Sequence, residues 1–144
     1  MAINFFCEEV DFTLPNKALH RNWLKQVVIS EGKVIGNINF IFCSDVYLLN
    51  VNQKYLSHDY FTDIITFDYC ENNKMIGDIF ISIDTVQKNS VEFKNTFPEE
   101  LDRVLVHGIL HLIGYKDDSE NNKIEMRNKE DFYLYVLHSN FIIN

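Results

Sequence analysis

The sequence predicts an α+β fold, a small mixed β-sheet covered by helices. Three observations predict it. Ile38, Phe40 and Phe42 alternate with Asn39 and Ile41, the period-2 pattern of a strand. Val104, Leu105, Val106, Ile109, Leu110, Leu112 and Ile113 make one segment apolar nearly all round, the mark of a buried helix. Segments of the two periods are mixed along the chain, without repeats or low-complexity linkers between them.

The elements follow in order. An opening strand is expected near Ile3 to Phe6. Past Leu14-Pro15 comes a helix that ends close to Gly32, a glycine suited to follow a helix C-terminus. The strand around Ile38–Phe42 follows. Ser44 and Asp45 can cap the next helix, which carries Tyr47, Leu48, Val51 and Tyr55. A strand from Asp63 to Tyr69 reaches the Glu71-Asn72-Asn73-Lys74 turn, and Met75 to Ile83 returns as its hairpin partner. Helical sequence resumes after Asp84 and stops before Asn95. Thr96 with Glu99 spells a capping box for the apolar helix, and Pro98 is tolerated in a first turn. A last helix starts near Ser119 and runs through Met126 and Phe132 to Leu137.

The 144 residues suffice for one domain with a real core and are short for two, so residues 1–144 are expected to form one domain. The beginning lacks a basic leader followed by an apolar run, and nothing later approaches the length of a membrane span. A cytoplasmic protein is expected. Cys7, Cys43 and Cys70 are widely separated and read as small apolar residues in a reducing compartment. The net charge of −8 argues against nonspecific coating of nucleic acid and favours basic protein partners. Lys17, Arg21 and Lys25 recur every four residues as one basic stripe, opposite Leu19, Trp23 and Val27. Such stripes are usually solvated faces.

The chemistry concentrates in His107-Gly-Ile-Leu-His111-Leu-Ile-Gly114-Tyr-Lys-Asp117. Histidines four apart share one helix face, so both imidazoles can converge on one ion. Gly114 suits the left-handed position that stops a helix, and the chain can return there to bring Asp117 to the same point. Asp118 can substitute if the turn differs by one residue. Two core histidines satisfied by carbonyls would fit the same spacing. Burial favours the metal reading, because idle imidazoles in an apolar helix need partners and one ion satisfies both together with the carboxylate.

A structural zinc site is closed by four protein ligands and is usually rich in cysteine, whereas a catalytic one has three and a water. Here three ligands are on offer and no Cys-x-x-Cys pair is present, so a metal-bound water is the expected reactive group. The order His-x-x-x-His-x-x-Gly-x-x-Asp copies the spacing of the metzincin proteases. Gly108, however, stands where those enzymes carry their glutamate base, which speaks against a protease.

The run resembles the hallmark of the YbeY family of bacterial endoribonucleases, His-Gly-x-Leu-His-Leu-x-Gly-Tyr-Asp-His. His107, Gly108, Leu110, His111, Leu112, Gly114 and Tyr115 agree with it. Family-like segments run upstream as Asn52-Gln-Lys-Tyr55, Asp59-Tyr-Phe-Thr62-Asp63-Ile-Ile-Thr-Phe67 and Ile76-Gly77-Asp78-Ile79-Phe-Ile-Ser82, so the resemblance spans about Ile38 to Asp118. It implies the same α+β fold, with a zincin-like histidine-bearing helix. It also implies one zinc ion per chain, cleavage of single-stranded RNA at the 3′ end of 16S ribosomal RNA, a part in ribosome quality control, and contact with small-subunit ribosomal proteins.

The chain departs from the family pattern twice. Asp117, preceded by Lys116, replaces the third histidine. A carboxylate is a competent zinc ligand, but it leaves about +1 on the site instead of about +2 and should acidify water less. Two histidines and a carboxylate also describe the facial triad of non-haem iron. Leu56 stands where the family typically has an arginine, a natural phosphate partner. Lys54, His58 and Lys116 are the candidates to bind substrate in its place.

Asp78 is the nearest candidate acid, with local backbone hydrogen bonding as the alternative, and no general base is assigned. Thr62 and Asp63 are expected in the cleft wall. His20, His58 and His138 have surface, cap or core duties as their default. Two functions compete: a zinc-dependent endoribonuclease, and a metal-stabilised ribosome-assembly factor with little or no nuclease activity, which the loss of the arginine motivates.

Overall fold

The computed structural model describes residues 2–58 and 62–142, the last three as backbone only. Asp59, Tyr60 and Phe61 of the family-like segment lie outside the described residues. Strands β1 (Ile3–Glu8), β2 (Val34–Cys43), β3 (Ile64–Asp68) and β4 (Lys74–Ser82) form one sheet in the order β1-β2-β4-β3. β1 and β4 flank β2 in parallel, and β3 pairs antiparallel with β4 as the outer strand. Helices α1 (Lys17–Ser30), α2 (Asp45–Leu56), α3 (Ile83–Glu92), α4 (Phe97–Ile113) and α5 (Glu120–Val136) complete the α+β fold, followed by a π-helical turn at Leu137–Ile142.

Local signals account for most boundaries. Ser44 caps α2 by accepting the Tyr47 N–H at 3.1 Å, and Ser119 caps α5 by accepting the Asn122 N–H at 3.1 Å. Thr96 and Glu99 form the full capping box at the head of α4, with Pro98 in its first turn. Two boundaries differ from expectation. β2 begins at Val34 rather than near Ile38, because a register shift between Ile35 and Ile38 breaks the alternation that would reveal its first residues. α3 begins at Ile83 with Ser82 as its cap, while the Asp84 carboxylate accepts the Asp45 N–H instead.

The main core lies on one face of the sheet, where Ile38, Phe40, Phe42, Ile79 and Ile81 meet Trp23, Leu24, Val27, Leu105, Ile109 and Leu110. Each such aliphatic side chain removed from water contributes about 1.5–3 kcal/mol. α4 is the central helix of this layer, as its all-round apolar sequence requires. Trp23 donates its indole N–H to the Tyr133 carbonyl and so ties α1 to α5. α2 covers the opposite face with a smaller cluster of Leu48, Val51, Ile65, Phe67 and Phe80.

His20 is a core histidine, with Nδ1 at 3.0 Å from the Asn16 carbonyl and Nε2 at 2.9 Å from Asp102. The basic stripe of α1 is interrupted: Arg21 donates Nε–H to the Ile3 carbonyl and lies over the Phe5 ring, tied to β1. Among the described residues no helix is long and apolar enough to cross a membrane.

Candidate metal centre

His107 and His111 project from the last two turns of α4, their rings edge to face with centroids 4.5 Å apart. The helix stops at Gly114, whose φ of 122° is a conformation that L side chains rarely adopt. The chain then doubles back and presents Asp117. Its Oδ2 lies 3.4 Å from His107 Nε2 and 3.5 Å from His111 Nε2. Ligands bound at about 2.0–2.2 Å around a tetrahedral ion stand about 3.3–3.5 Å apart, so both distances to Asp117 match a shared ion, and all three donor atoms lie within 4.8 Å of one another. Asp118 turns away and accepts the Asn122 side-chain N–H.

The second nitrogen of each ring is already engaged. His111 Nδ1 is 3.1 Å from the Tyr115 carbonyl, an acceptor only, so Nδ1 carries the hydrogen and Nε2 keeps its lone pair for an ion. His107 Nδ1 is 2.6 Å from Glu130 Oε2, and the carboxylate fixes the same tautomer there. Glu130 is held in turn by Arg103, which donates to Oε1 at 2.7 Å and to Asp131 at 2.6 Å. The donor set fits a divalent cation: two neutral imidazoles with free Nε2 atoms and one carboxylate, each ring oriented by a second partner. It suits zinc, and it is also the set that non-haem iron uses.

Electrostatics separate the two histidines. Burial pulls His107 down, but the hydrogen bond and charge of Glu130, with Asp117 and Asp63, outweigh it and leave its pKa above the ordinary value. His111 falls below, through burial and the neighbouring His107. Asp63, just before β3, is pushed up by burial against the pull of His107, with Asp117 and Glu130 adding to the rise. Burial of this kind favours the protonated form of the carboxyl.

A cleft of about 560 Å³ opens beside His111. Asn52, Leu56 and His58 from the end of α2 form one wall, and Thr62, Ile64, Ile65, Thr66 and Asp68 along β3 form the other. Of the sequence-derived substrate candidates, His58 reaches this cleft and Lys116 is exposed beside Asp117. Lys54 does not line it. Two residues along a helix rotate by about 200°, so Lys54 departs from Leu56 and places Nζ 5.3 Å from the Tyr55 ring. Asp78 is also elsewhere. A Cβ on Gly108 would meet Ile79 at 2.9 Å, so Ile79 faces α4 and Asp78, one residue earlier, faces the other way. There it accepts the Asn39 amide N–H at 3.0 Å and lines a depression with Tyr47, Tyr55 and Phe80.

Sequence reasoning missed Glu130 and Arg103. One signal was present: Met126, Glu130 and Tyr133 occupy the buried stripe of α5, and a glutamate in a stripe of that kind demands a partner. Glu31 was missed too. It accepts hydrogen bonds from the hydroxyls of Tyr115 (2.6 Å) and Tyr133 and from Lys129 (3.2 Å), pinning the turn whose carbonyl orients His111.

Fold and site together define an α+β protein with a candidate three-ligand metal centre of two histidines and an aspartate at the end of its central helix. A family model described as endoribonuclease YbeY matches residues 5–138, and the chain belongs to that family. A relative from Flavobacterium psychrophilum, named endoribonuclease YbeY, is 48% identical over 133 residues, covering 92% of this chain and 95% of the relative. One of the same name from Karelsulcia muelleri is 48% identical over 140 residues, covering 97% and 99%. The solution structure of TM1509 from Thermotoga maritima superposes with a TM-score of 0.65 at 31% identity, covering 94% of this chain and 88% of that one.

Proposed function

We propose that residues 1–144 act as one cytoplasmic, zinc-dependent endoribonuclease domain that cleaves single-stranded RNA, with the 3′ region of 16S ribosomal RNA as substrate and small-subunit ribosomal proteins as partners. Its further role is in ribosome quality control. The observation that carries the reading is the convergence of two imidazole Nε2 atoms on Asp117 Oδ2 at 3.4 and 3.5 Å, each ring fixed through its other nitrogen. The family membership and the printed names of the relatives support RNA as the substrate.

His107, His111 and Asp117 would hold the ion. When bound there, zinc supplies Lewis acidity to a phosphoryl oxygen and to water. The chain's own residues do the rest. Glu130 keeps the proton on His107 Nδ1, and the Tyr115 carbonyl keeps that on His111 Nδ1, so both rings stay in the metal-binding tautomer. Asp63, close enough to feel the charge of His107, is the acid–base candidate in place of Asp78. His58 and Lys116 flank the path that the RNA takes.

The test is cleavage of a 16S 3′-end RNA by zinc-loaded protein beside a His111→Ala variant purified identically. Cleavage by the wild type alone supports the reading, and equal survival of the RNA in both removes it. One observation favours a second reading, that of a metal-stabilised assembly factor. Leu56 occupies the cleft wall, and among the described residues the lining contains no lysine or arginine to hold phosphate. That reading predicts a lower melting temperature on chelation, with RNA left intact even at high protein concentration.

A further inference from the structure

The Thr66 hydroxyl stands out in the cleft. Among the described residues, Thr66 Oγ1 is the one buried side-chain oxygen or nitrogen without a hydrogen-bond partner. An unpaired buried hydroxyl is unfavourable, and such groups are rare in native proteins. Thr66 is nonetheless only half-buried and lines the cleft that opens beside His111. Its inward Oγ1 and the part of the side chain that lines the cleft share one Cβ, so a rotation about χ1 between staggered positions turns the hydroxyl outward.

The surroundings indicate what it meets. The polar lining consists of Asn52, His58, Thr62, His111 and Asp68, an amide, a hydroxyl, two imidazoles and one carboxylate, and Leu56 adds an apolar side chain. Such a wall suits the uncharged parts of a nucleotide better than its phosphate. β3 is also the outer strand. Asp63 accepts from the Ser82 N–H and Tyr69 donates to the Ile76 carbonyl, so the odd-numbered residues bond to β4 and Ile64, Thr66 and Asp68 turn their backbone groups to the open edge. Thr66 is the middle residue of that edge.

We propose that Thr66 is a specificity-determining residue whose hydroxyl hydrogen-bonds a ribose 2′-hydroxyl of the strand lying along β3, so that the cleft tells RNA from DNA. The inference rests on the endoribonuclease reading of the same cleft. A 2′-hydroxyl both donates and accepts, and it is the group that distinguishes the two polymers at a given site. Turned into the cleft, the Thr66 hydroxyl finds in RNA a partner that DNA cannot offer.

The test measures the affinity of zinc-loaded protein for a fluorescein-labelled single-stranded RNA of the 16S 3′ sequence and for the DNA of the same sequence. RNAs carrying one 2′-deoxynucleotide at each position in turn are included. Wild type is compared with Thr66→Val, which keeps the shape and removes the hydroxyl. The wild type is expected to prefer RNA, one deoxy position costing about three- to tenfold. Thr66→Val is expected to lose the cost at that position alone while melting no lower than wild type. A variant that keeps the full cost at every position, or weakens on RNA and DNA alike, overturns the proposal while the endoribonuclease reading stands. A wild-type protein that neither binds nor cleaves RNA removes both.

Discussion

Glu130 accepts a hydrogen bond from His107 Nδ1 at 2.6 Å across the interface of α5 and α4, 23 residues apart in sequence. The carboxylate is among the most buried charged groups of the protein, at 5% exposure, and its second oxygen is spoken for by Arg103. The face of α4 that carries His107 and His111 is therefore set from behind by α5.

Glu130→Gln should lower zinc affinity about 10- to 100-fold, the usual effect of removing the carboxylate behind a ligating histidine. Competition with a chromogenic chelator measures it. Unchanged affinity would mean that the His107 ring is held by packing alone.

Asp117→Ala should reduce zinc affinity further, since it removes a proposed ligand outright. Asp117→His should keep the ion and raise the rate of RNA cleavage, because a neutral third ligand leaves about one more unit of positive charge on the site. Parallel rate and zinc-content measurements decide this. No gain in rate at full zinc occupancy would shift attention to Leu56.

Glu31→Gln should cost about 1–3 kcal/mol at neutral pH, as it weakens the bonds from Tyr115, Tyr133 and Lys129 to a largely buried carboxylate. Burial raises the Glu31 pKa, but those three partners outweigh it and hold the carboxyl below its ordinary value. The folded value thus lies below the unfolded one. The stabilisation is present above the ordinary carboxylate value and is lost as pH falls through the depressed one. Melting curves should show wild type and variant separated at pH 7 and converging in acid; a gap that widens in acid contradicts the assignment.

Gly108→Glu should fail to give a folded protein or lose more than about 3 kcal/mol. Even a Cβ there would stand 2.9 Å from Ile79 and 3.1 Å from Ile64, and the carboxylate would follow it into the core. Position two of the motif faces the sheet and not the metal centre. A stable variant with peptidase activity would refute this placement.

Much of the fold was legible because its signals are local. The Thr96–Glu99 box, the Ser44 and Ser119 caps and the stop at Gly114 all depend on residues within one turn of each other. The convergence of His107, His111 and Asp117 was legible for the same reason, since helix geometry and one glycine turn bring the three together. Glu130, Glu31 and Thr66 were not. Their partners lie 23 or more residues away or outside the protein, and no local pattern encodes such pairings. Asp78 misled because nearness in sequence to a cleft strand says nothing of the sheet face; its neighbour Ile79 took the face toward α4. β2 began earlier than the alternation showed because its irregular step reset the count.

His111 lies in the last turn of α4, a 17-residue helix whose opposite end is sealed by its capping box. Peptide dipoles aligned along such a helix leave about half a negative charge at its C-terminus. The protein thus presents a cation with an attractive field before any side chain touches it, supplied by backbone that no substitution at positions 107, 111 or 117 can remove. Ligand variants of this centre should for that reason retain a weak residual affinity for divalent ions, which fades as added salt screens the helix end.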